Sequence, residues 1–142
     1  MQDGEICVMP LTADLLAAAG DPVVLFCVPH PAWAVKGAKN HVSDGPFLHQ
    51  TAAEGLLMLW SSSRNGRYCQ AISYSLSGKL LGPWAHDPVP LLMEDAGHGM
   101  IFRSLTGELI FICHQPDQGP LEWPVWAEVK EREHDLILAG GV

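Results

Sequence analysis

A weak internal repeat most constrains how this chain of 142 residues can fold. The stretch DGPFLHQTAAEGLLMLWSSS (44–63) has the same order of features as GHGMIFRSLTGELIFICHQP (97–116): a glycine-marked start, a short strand, a tight turn and a stronger apolar strand. Gly45 and Gly99 lie 54 residues apart. A period near 50 residues, with about four strands per unit, is typical of β-propeller blades. Two units cannot close a ring, so the pattern predicts part of a propeller, an open sheet pair or an oligomer.

Further strand signals lie on both sides of the repeated stretches. Apolar runs bounded by turn residues predict strands at 4–11, 22–28, 67–75, 124–132 and 135–138. Between the first two, Thr12, Asp14 and a run of alanines before Gly20 favour a short connector helix. We therefore predict an all-β fold of antiparallel sheets with one short connector helix.

The predicted blades divide the chain into three parts within a single domain. Residues 1–40 would hold the end of one blade with the connector helix and a loop, 41–95 one blade, and 96–142 the next.

Charge and composition exclude several classes of partner. The formal net charge is −8 and the sequence has no basic run, which argues against nucleic acid and anionic membranes. No apolar stretch is long enough to span a bilayer. The first residues do not have the pattern of a signal peptide, and the compartment stays open.

The four cysteines are far apart and form no CxxC pair, which argues against a zinc ribbon or a thioredoxin-type site. Each lies in or beside an apolar run, so we expect small buried side chains on strands. The histidines have no HxH or HxxxH spacing, and the sequence does not predict a zinc site.

Asp44, Gly45 and Pro46 stand directly before an apolar strand, and this stretch has two interpretations. Asp, Gly and Pro are common turn residues, so the tripeptide could be an ordinary turn. Alternatively, a carboxylate at the start of a buried strand could perform proton chemistry, with its pKa adjusted by its surroundings. The residues alone leave both open.

Several motifs in order make the chain resemble glycoside hydrolase family 43. These are SDGPFLHQTAAEGLLMLWSSS, GPW, AGHGMIF and ICHQP, preceded by DGEICVMPLTADLLAAAGDPVVLF, and the resemblance runs over almost all of residues 1–135. The resemblance is to the C-terminal half of these five-bladed propeller enzymes, and it implies that the chain forms a partial five-bladed β-propeller of two to three antiparallel blades. It implies O-glycosyl hydrolysis of arabinose- or xylose-containing plant oligo- or polysaccharides by an inverting mechanism.

The resemblance also implies roles for particular residues. Asp44 matches the general-acid position, where most of the family has glutamate. The general base and an aspartate that tunes the acid belong to blades preceding Met1, so we expect the chain to be a fragment that is inactive alone. No cofactor is required, although a central cavity beside His98 is implied to hold water or Ca²⁺.

Three further residues are candidate sugar contacts alongside His98. His114 and Gln115 end a predicted strand, and Trp33 lies in a loop where its indole could stack on a sugar ring. Where the family often has an Arg-Pro pair, this sequence has Trp123-Pro124. The alternative to an enzyme fragment is a non-catalytic glycan-binding or assembly module, and uncovered blade faces would favour self-association.

Overall fold

The computed structural model describes residues 4–28, 42–132 and 135–139 as three antiparallel sheets. The first sheet has two strands and each of the others has four, ordered β3-β4-β5-β6 and β7-β8-β9-β10. The strands are β1 (Glu5–Val8), β2 (Val23–Cys27), β3 (Asp44–Gln50), β4 (Leu56–Arg64), β5 (Arg67–Ser75), β6 (Trp84–His86), β7 (Gly97–Arg103), β8 (Leu109–Gln115), β9 (Trp123–Arg132) and β10 (Asp135–Ala139). Each four-stranded sheet is a simple up-and-down meander, as in a propeller blade.

The predicted connector helix is wrong. Leu11 forms an antiparallel bridge with Ala18, and the loop between them is closed by backbone hydrogen bonds across it. The Thr12 hydroxyl accepts from the Ala17 N–H and the Asp14 carboxylate accepts from the Leu16 N–H. Side chains that bond the local backbone in this way compete with helical hydrogen bonds, and so short a segment cannot offset the cost of helix nucleation. Within the described residues the one helical element is a 3₁₀ turn, Gly119–Leu121.

The middle sheet is buried on both faces because sheets lie against each side of it. Met58 and Trp60 pack toward the first sheet with Phe26, while Leu57 and Leu59 pack toward the third. Alternate residues of a strand point to opposite faces, so a strand covered on both sides needs a continuous apolar run. This accounts for the sequence LLMLW in β4.

The hairpin between β4 and β5 fixes the register of the middle sheet. Asn65 and Gly66 both have positive φ, 53° and 76°, as a two-residue turn of this kind requires. The turn places Arg64 opposite Arg67, Ser63 opposite Tyr68 and Ser61 opposite Gln70.

The repeat recognised in the sequence has a structural period one residue shorter than the glycine spacing. Asp44 pairs with Ser61 in one blade and Gly97 pairs with His114 in the next, and both equivalent positions are 53 residues apart. Both inner strands have a register shift just after this first pair. Gly45 is therefore equivalent to His98, and these residues have φ of 54° and 52°.

The start of β7 packs directly on β4 and β5 through two glycines. A Cβ atom on Gly97 would lie 2.2 Å from the Tyr68 ring, and one on Gly99 would lie 2.5 Å from Gln70 Oε1. The Gly99 N–H donates to Gln70 Oε1 at 2.6 Å. Only glycine allows the backbone to approach the neighbouring blade this closely.

A second connection between the two large sheets lies near the far end of β3. His49 Nε2 lies 2.6 Å from Glu131 Oε1, and the Ala52 N–H donates to Glu131 Oε2 at 3.0 Å. Burial raises the pKa of Glu131, but these bonds outweigh it and the pKa lies below its ordinary value. The carboxylate is therefore ionised at neutral pH and holds the blades together at this end.

The four cysteines are free thiols, and two fit the expectation of buried side chains. Cys69 and Cys113 are buried, and burial raises the pKa of each thiol to about 11. Cys7 and Cys27, on the first sheet, are only half-buried.

Removing a buried side chain from β4 should destabilise the protein strongly. Leu59 is fully buried between the second and third sheets, so Leu59→Ala should lower the free energy of unfolding by about 2–5 kcal/mol. Leu105 is fully exposed, and Leu105→Ala should change it by less than about 0.5 kcal/mol. Urea denaturation of the two variants checks this, and equal losses would contradict the packing described for β4.

A methyl group at Gly99 should also destabilise the protein. The added Cβ would meet Phe111 and lie 2.5 Å from Gln70 Oε1, so Gly99→Ala should cost about 3 kcal/mol through overpacking and a weakened hydrogen bond. Gly107→Ala is the control, because Gly107 has φ of 99° and no neighbour within 4 Å of an added Cβ. It should lower the free energy of unfolding only through backbone strain, by about 1 kcal/mol. Thermal unfolding that ranked Gly107→Ala as the more damaging would contradict the close contact of β7.

Candidate functional site

Two inner strands bring Asp44 and His98 together. Asp44 is the first residue of β3 and His98 the second of β7, and Asp44 Oδ1 lies 3.9 Å from His98 Nδ1. Their side chains are 43% and 57% exposed, so both reach open space while their backbones are fixed in sheets. Gly45 makes this approach feasible, because a Cβ there would lie 2.9 Å from the His98 ring.

A buried tyrosine joins these two side chains. The Tyr68 hydroxyl donates a hydrogen bond to Asp44 Oδ1 and lies 2.9 Å from His98 Nδ1. Burial and the neighbouring Asp44 carboxylate raise the pKa of Tyr68 far above its ordinary value, so the phenol is neutral.

The single phenolic proton determines the tautomer of His98. Because Tyr68 gives its proton to Asp44, its oxygen can only accept from His98, whose Nδ1 must then carry a hydrogen. In the neutral ring, Nε2 is left as the basic nitrogen. His98 thus has one nitrogen committed to the Asp44–Tyr68 pair and one for a ligand.

Buried polar side chains of the middle sheet hold the backbone of β7 in place. The His98 N–H donates to Ser61 Oγ at 2.8 Å, one residue before the bond from Gly99 to Gln70. Ser61 and Gln70 have no exposed surface, and the Gln70 amide also donates to the Trp60 carbonyl at 2.8 Å. Both side chains are satisfied, which is what burial of polar groups requires.

Asp44, Tyr68 and His98 face a cavity of about 600 Å³. The remaining lining residues come from the chain before β3, from β4, from the end of β8 and from the connection to β9: Val42, Ser63, His114, Asp117 and Glu122. A second cavity of about 390 Å³ shares His98, His114 and Glu122 and extends over Met100 and Trp123. The volume and the polar side chains suit a small polar ligand.

Only some of the predicted site residues lie together in the structure. Asp44, His98 and His114 line the first cavity together. Gln115 is directed elsewhere, since its side-chain amide donates to the Glu94 carbonyl at 2.7 Å. Trp33 lies outside the described residues. Trp123, which stands where the family often has arginine, is exposed beside the second cavity.

Sequence reasoning missed four polar residues of the cavity: Ser63, Tyr68, Asp117 and Glu122. Tyr68 could have been found from the Asn65-Gly66 turn, because the register it sets places Tyr68 two residues from the partner of Ser61. Asp117 and Glu122 lie in the turn between β8 and β9, and no spacing rule connects them to His114.

Comparison with solved structures gives matches over nearly the whole chain. An endo-arabinase from Bacteroides thetaiotaomicron is 36% identical with a TM-score of 0.84, over 92% of this chain and 48% of the enzyme. A thermostable family-43 glycoside hydrolase is 22% identical with a TM-score of 0.80, over 96% of this chain and 47% of that one. An α-L-arabinofuranosidase from Lactobacillus brevis is 17% identical with a TM-score of 0.66, over 93% of this chain and 46% of that one.

No family model and no curated protein matches the chain. The two more distant structures support the fold alone, while the endo-arabinase adds a substantial sequence identity. In the described residues, no helix is long and apolar enough to cross a membrane. The chain therefore resembles glycoside hydrolase family 43, with the all-β fold of a partial propeller that spans about half the length of the solved enzymes it matches.

Proposed function

We propose that this chain is part of an inverting glycoside hydrolase acting on arabinose- or xylose-containing plant glycans, with Asp44 as its general acid. The observation that carries the proposal is the position of Asp44, exposed to the cavity from an inner strand and hydrogen-bonded by Tyr68. The 36% identity to an endo-arabinase supports the substrate class.

The hydrogen bond from Tyr68 assigns the two oxygens of Asp44 different tasks. Oδ1 accepts from the phenol, so the proton for the glycosidic oxygen would be carried on Oδ2. When that proton has left, Tyr68 continues to donate to the newly charged carboxylate and stabilises it. Tyr68 thereby orients the acid in both protonation states.

An inverting reaction also requires a carboxylate that activates water on the opposite face of the sugar. We propose that this base, and the aspartate that tunes the acid, belong to propeller blades outside the given sequence, as the resemblance implies. Asp117 and Glu122 line the same cavity as Asp44.

Ca²⁺ beside His98 is likewise a proposal. Because Nδ1 is committed to Tyr68, only Nε2 of His98 could bind the ion. Within the described residues Asp44 is the carboxylate paired with this ring, whereas Ca²⁺ prefers six to eight oxygen ligands. These residues therefore fit Ca²⁺ only if water supplies most of its ligands.

A non-catalytic glycan-binding or assembly module is the second candidate. The exposed indole of Trp123 beside the second cavity favours it, because an aromatic ring can stack on a sugar without any catalytic carboxylate. Calorimetry with arabino-oligosaccharides distinguishes the two: this candidate requires binding that depends on Trp123 and survives Asp44→Asn.

The isolated chain should show negligible turnover of aryl arabinofuranosides and xylosides. One carboxylate cannot act as acid and base in a single displacement, and acid–base assistance is worth about 10²–10⁴-fold per group. In a longer protein that includes the preceding blades, Asp44→Asn should lower activity on natural oligosaccharides, and less on aryl substrates whose leaving group needs little protonation. Robust turnover by the short chain would contradict the proposal and make Asp117 and Glu122 candidates for the base.

The outer face of the third sheet should drive self-association of the isolated chain. Met100, Ile112 and Trp126 lie in one cross-strand row, and Met100 and Trp126 are exposed together with Phe102. Trp126→Lys should increase the monomer fraction in light scattering. Leu105→Lys, which also replaces an exposed apolar side chain with lysine but lies in a turn, should not. A monomeric parent chain at high concentration would refute this.

A further inference from the structure

The connection from β8 to β9 brings three metal-ligating side chains to one place. His114 is near the end of β8, Asp117 follows two residues after that strand, and Glu122 directly precedes β9. The nitrogen and carboxylate oxygens they offer all lie within 4.8 Å of one another. These side chains line the 600 Å³ cavity, and the sequence pattern predicts no such site.

His114 has an unsatisfied nitrogen directed at this cluster. Its Nδ1 exposes less than 1 Å² and has no hydrogen-bond partner, and it is the one such buried side-chain atom among the described residues. The nearest charged atom is Glu122 Oε2 at 3.7 Å, too far for a hydrogen bond. A buried polar atom without a partner costs about 1–3 kcal/mol, so it points to a missing ligand.

Hydrogen bonds within the turn before β9 hold Glu122 beside His114. Its Oε1 accepts a hydrogen bond from the Gly119 N–H at 3.0 Å, and its backbone N–H donates to the Gly119 carbonyl at 3.0 Å. The 3₁₀ turn thus fixes the side chain of Glu122 with Oε2 as the oxygen nearest to His114 Nδ1.

We propose that His114, Asp117 and Glu122 form a binding site for a divalent transition-metal ion such as Zn²⁺. Zinc binds nitrogen and carboxylate oxygen at about 2.0–2.2 Å, so two ligands of one ion lie about 3–4 Å apart, as Nδ1 and Oε2 do. Asp117 is exposed and can move the short distance needed to complete the set.

The ligand types determine which ion the site selects. One imidazole and two carboxylates suit Zn²⁺ or Co²⁺, whereas Ca²⁺ and Mg²⁺ prefer all-oxygen shells. Three protein ligands leave at least one coordination position for water or a ligand hydroxyl. The ligand set differs from that of the proposed ion beside His98, although both histidines line the same cavity, and metal binding can be measured whether or not the glycosidase proposal holds.

Calorimetric titration of the metal-free full chain with Zn²⁺ tests the proposal. We expect one site, with little competition from Ca²⁺ or Mg²⁺. Glu122→Gln and Asp117→Asn should each weaken Zn²⁺ binding by more than about tenfold. Glu128→Gln removes an exposed carboxylate outside the cluster and should leave the affinity within about twofold. Both ligand changes are at exposed positions, so circular dichroism should show an intact fold.

Two further measurements identify the ligands directly. Co²⁺ should give visible absorption bands that His114→Gln abolishes and that persist in His98→Ala. Bands lost in His98→Ala but kept in His114→Gln would overturn the proposal in favour of an ion at the other histidine. Zinc binding that survives both carboxylate variants, or that disappears on alkylation of the cysteine thiols, would overturn it as well.

Discussion

The position of the candidate site depends on one buried amide. Gln70 has no exposed surface; its oxygen accepts from the Gly99 N–H and its nitrogen donates to the Trp60 carbonyl. These two bonds connect the Gly99 N–H of β7 to the Trp60 carbonyl of β4 through one side chain, so the amide fixes the start of β7 against the middle sheet. His98 is the residue before Gly99, so this contact, together with the bond from the His98 N–H to Ser61, positions its ring beside Tyr68 and Asp44.

The sheets could be predicted from sequence because their signals are local. The Asn65-Gly66 turn sets the register of β4 and β5, and the apolar run of β4 follows from burial on both faces. The predicted connector helix is wrong because Thr12 and Asp14 do not cap a helix. Their side chains instead close a loop whose ends meet as a bridge between Leu11 and Ala18.

The site was only partly predictable because its contacts join residues of different blades. Asp44 and His98 could be paired in advance, since each begins an inner strand of the repeated unit. Tyr68 could be placed only through the hairpin register, and the grouping of His114 with Glu122 depends on the path of a turn. Gln115 follows His114 on the same strand and also has a polar side chain, yet its hydrogen bond to the Glu94 carbonyl directs it away from the cavity. No local pattern distinguishes it from His114.

The repeat explains how two similar blades can build one polar cavity. Three positions of the repeated unit line the cavity. At each position, one blade has a functional side chain and the other blade has a small residue. Asp44 corresponds to Gly97, His98 to Gly45, and His114 to Ser61. The small partners are necessary: Gly45 leaves room for the His98 ring, Gly97 for Tyr68, and the Ser61 hydroxyl accepts from the His98 N–H. Equal blades with large side chains at all three positions would clash at the inner edge, so the divergence between the repeats is what creates the cavity.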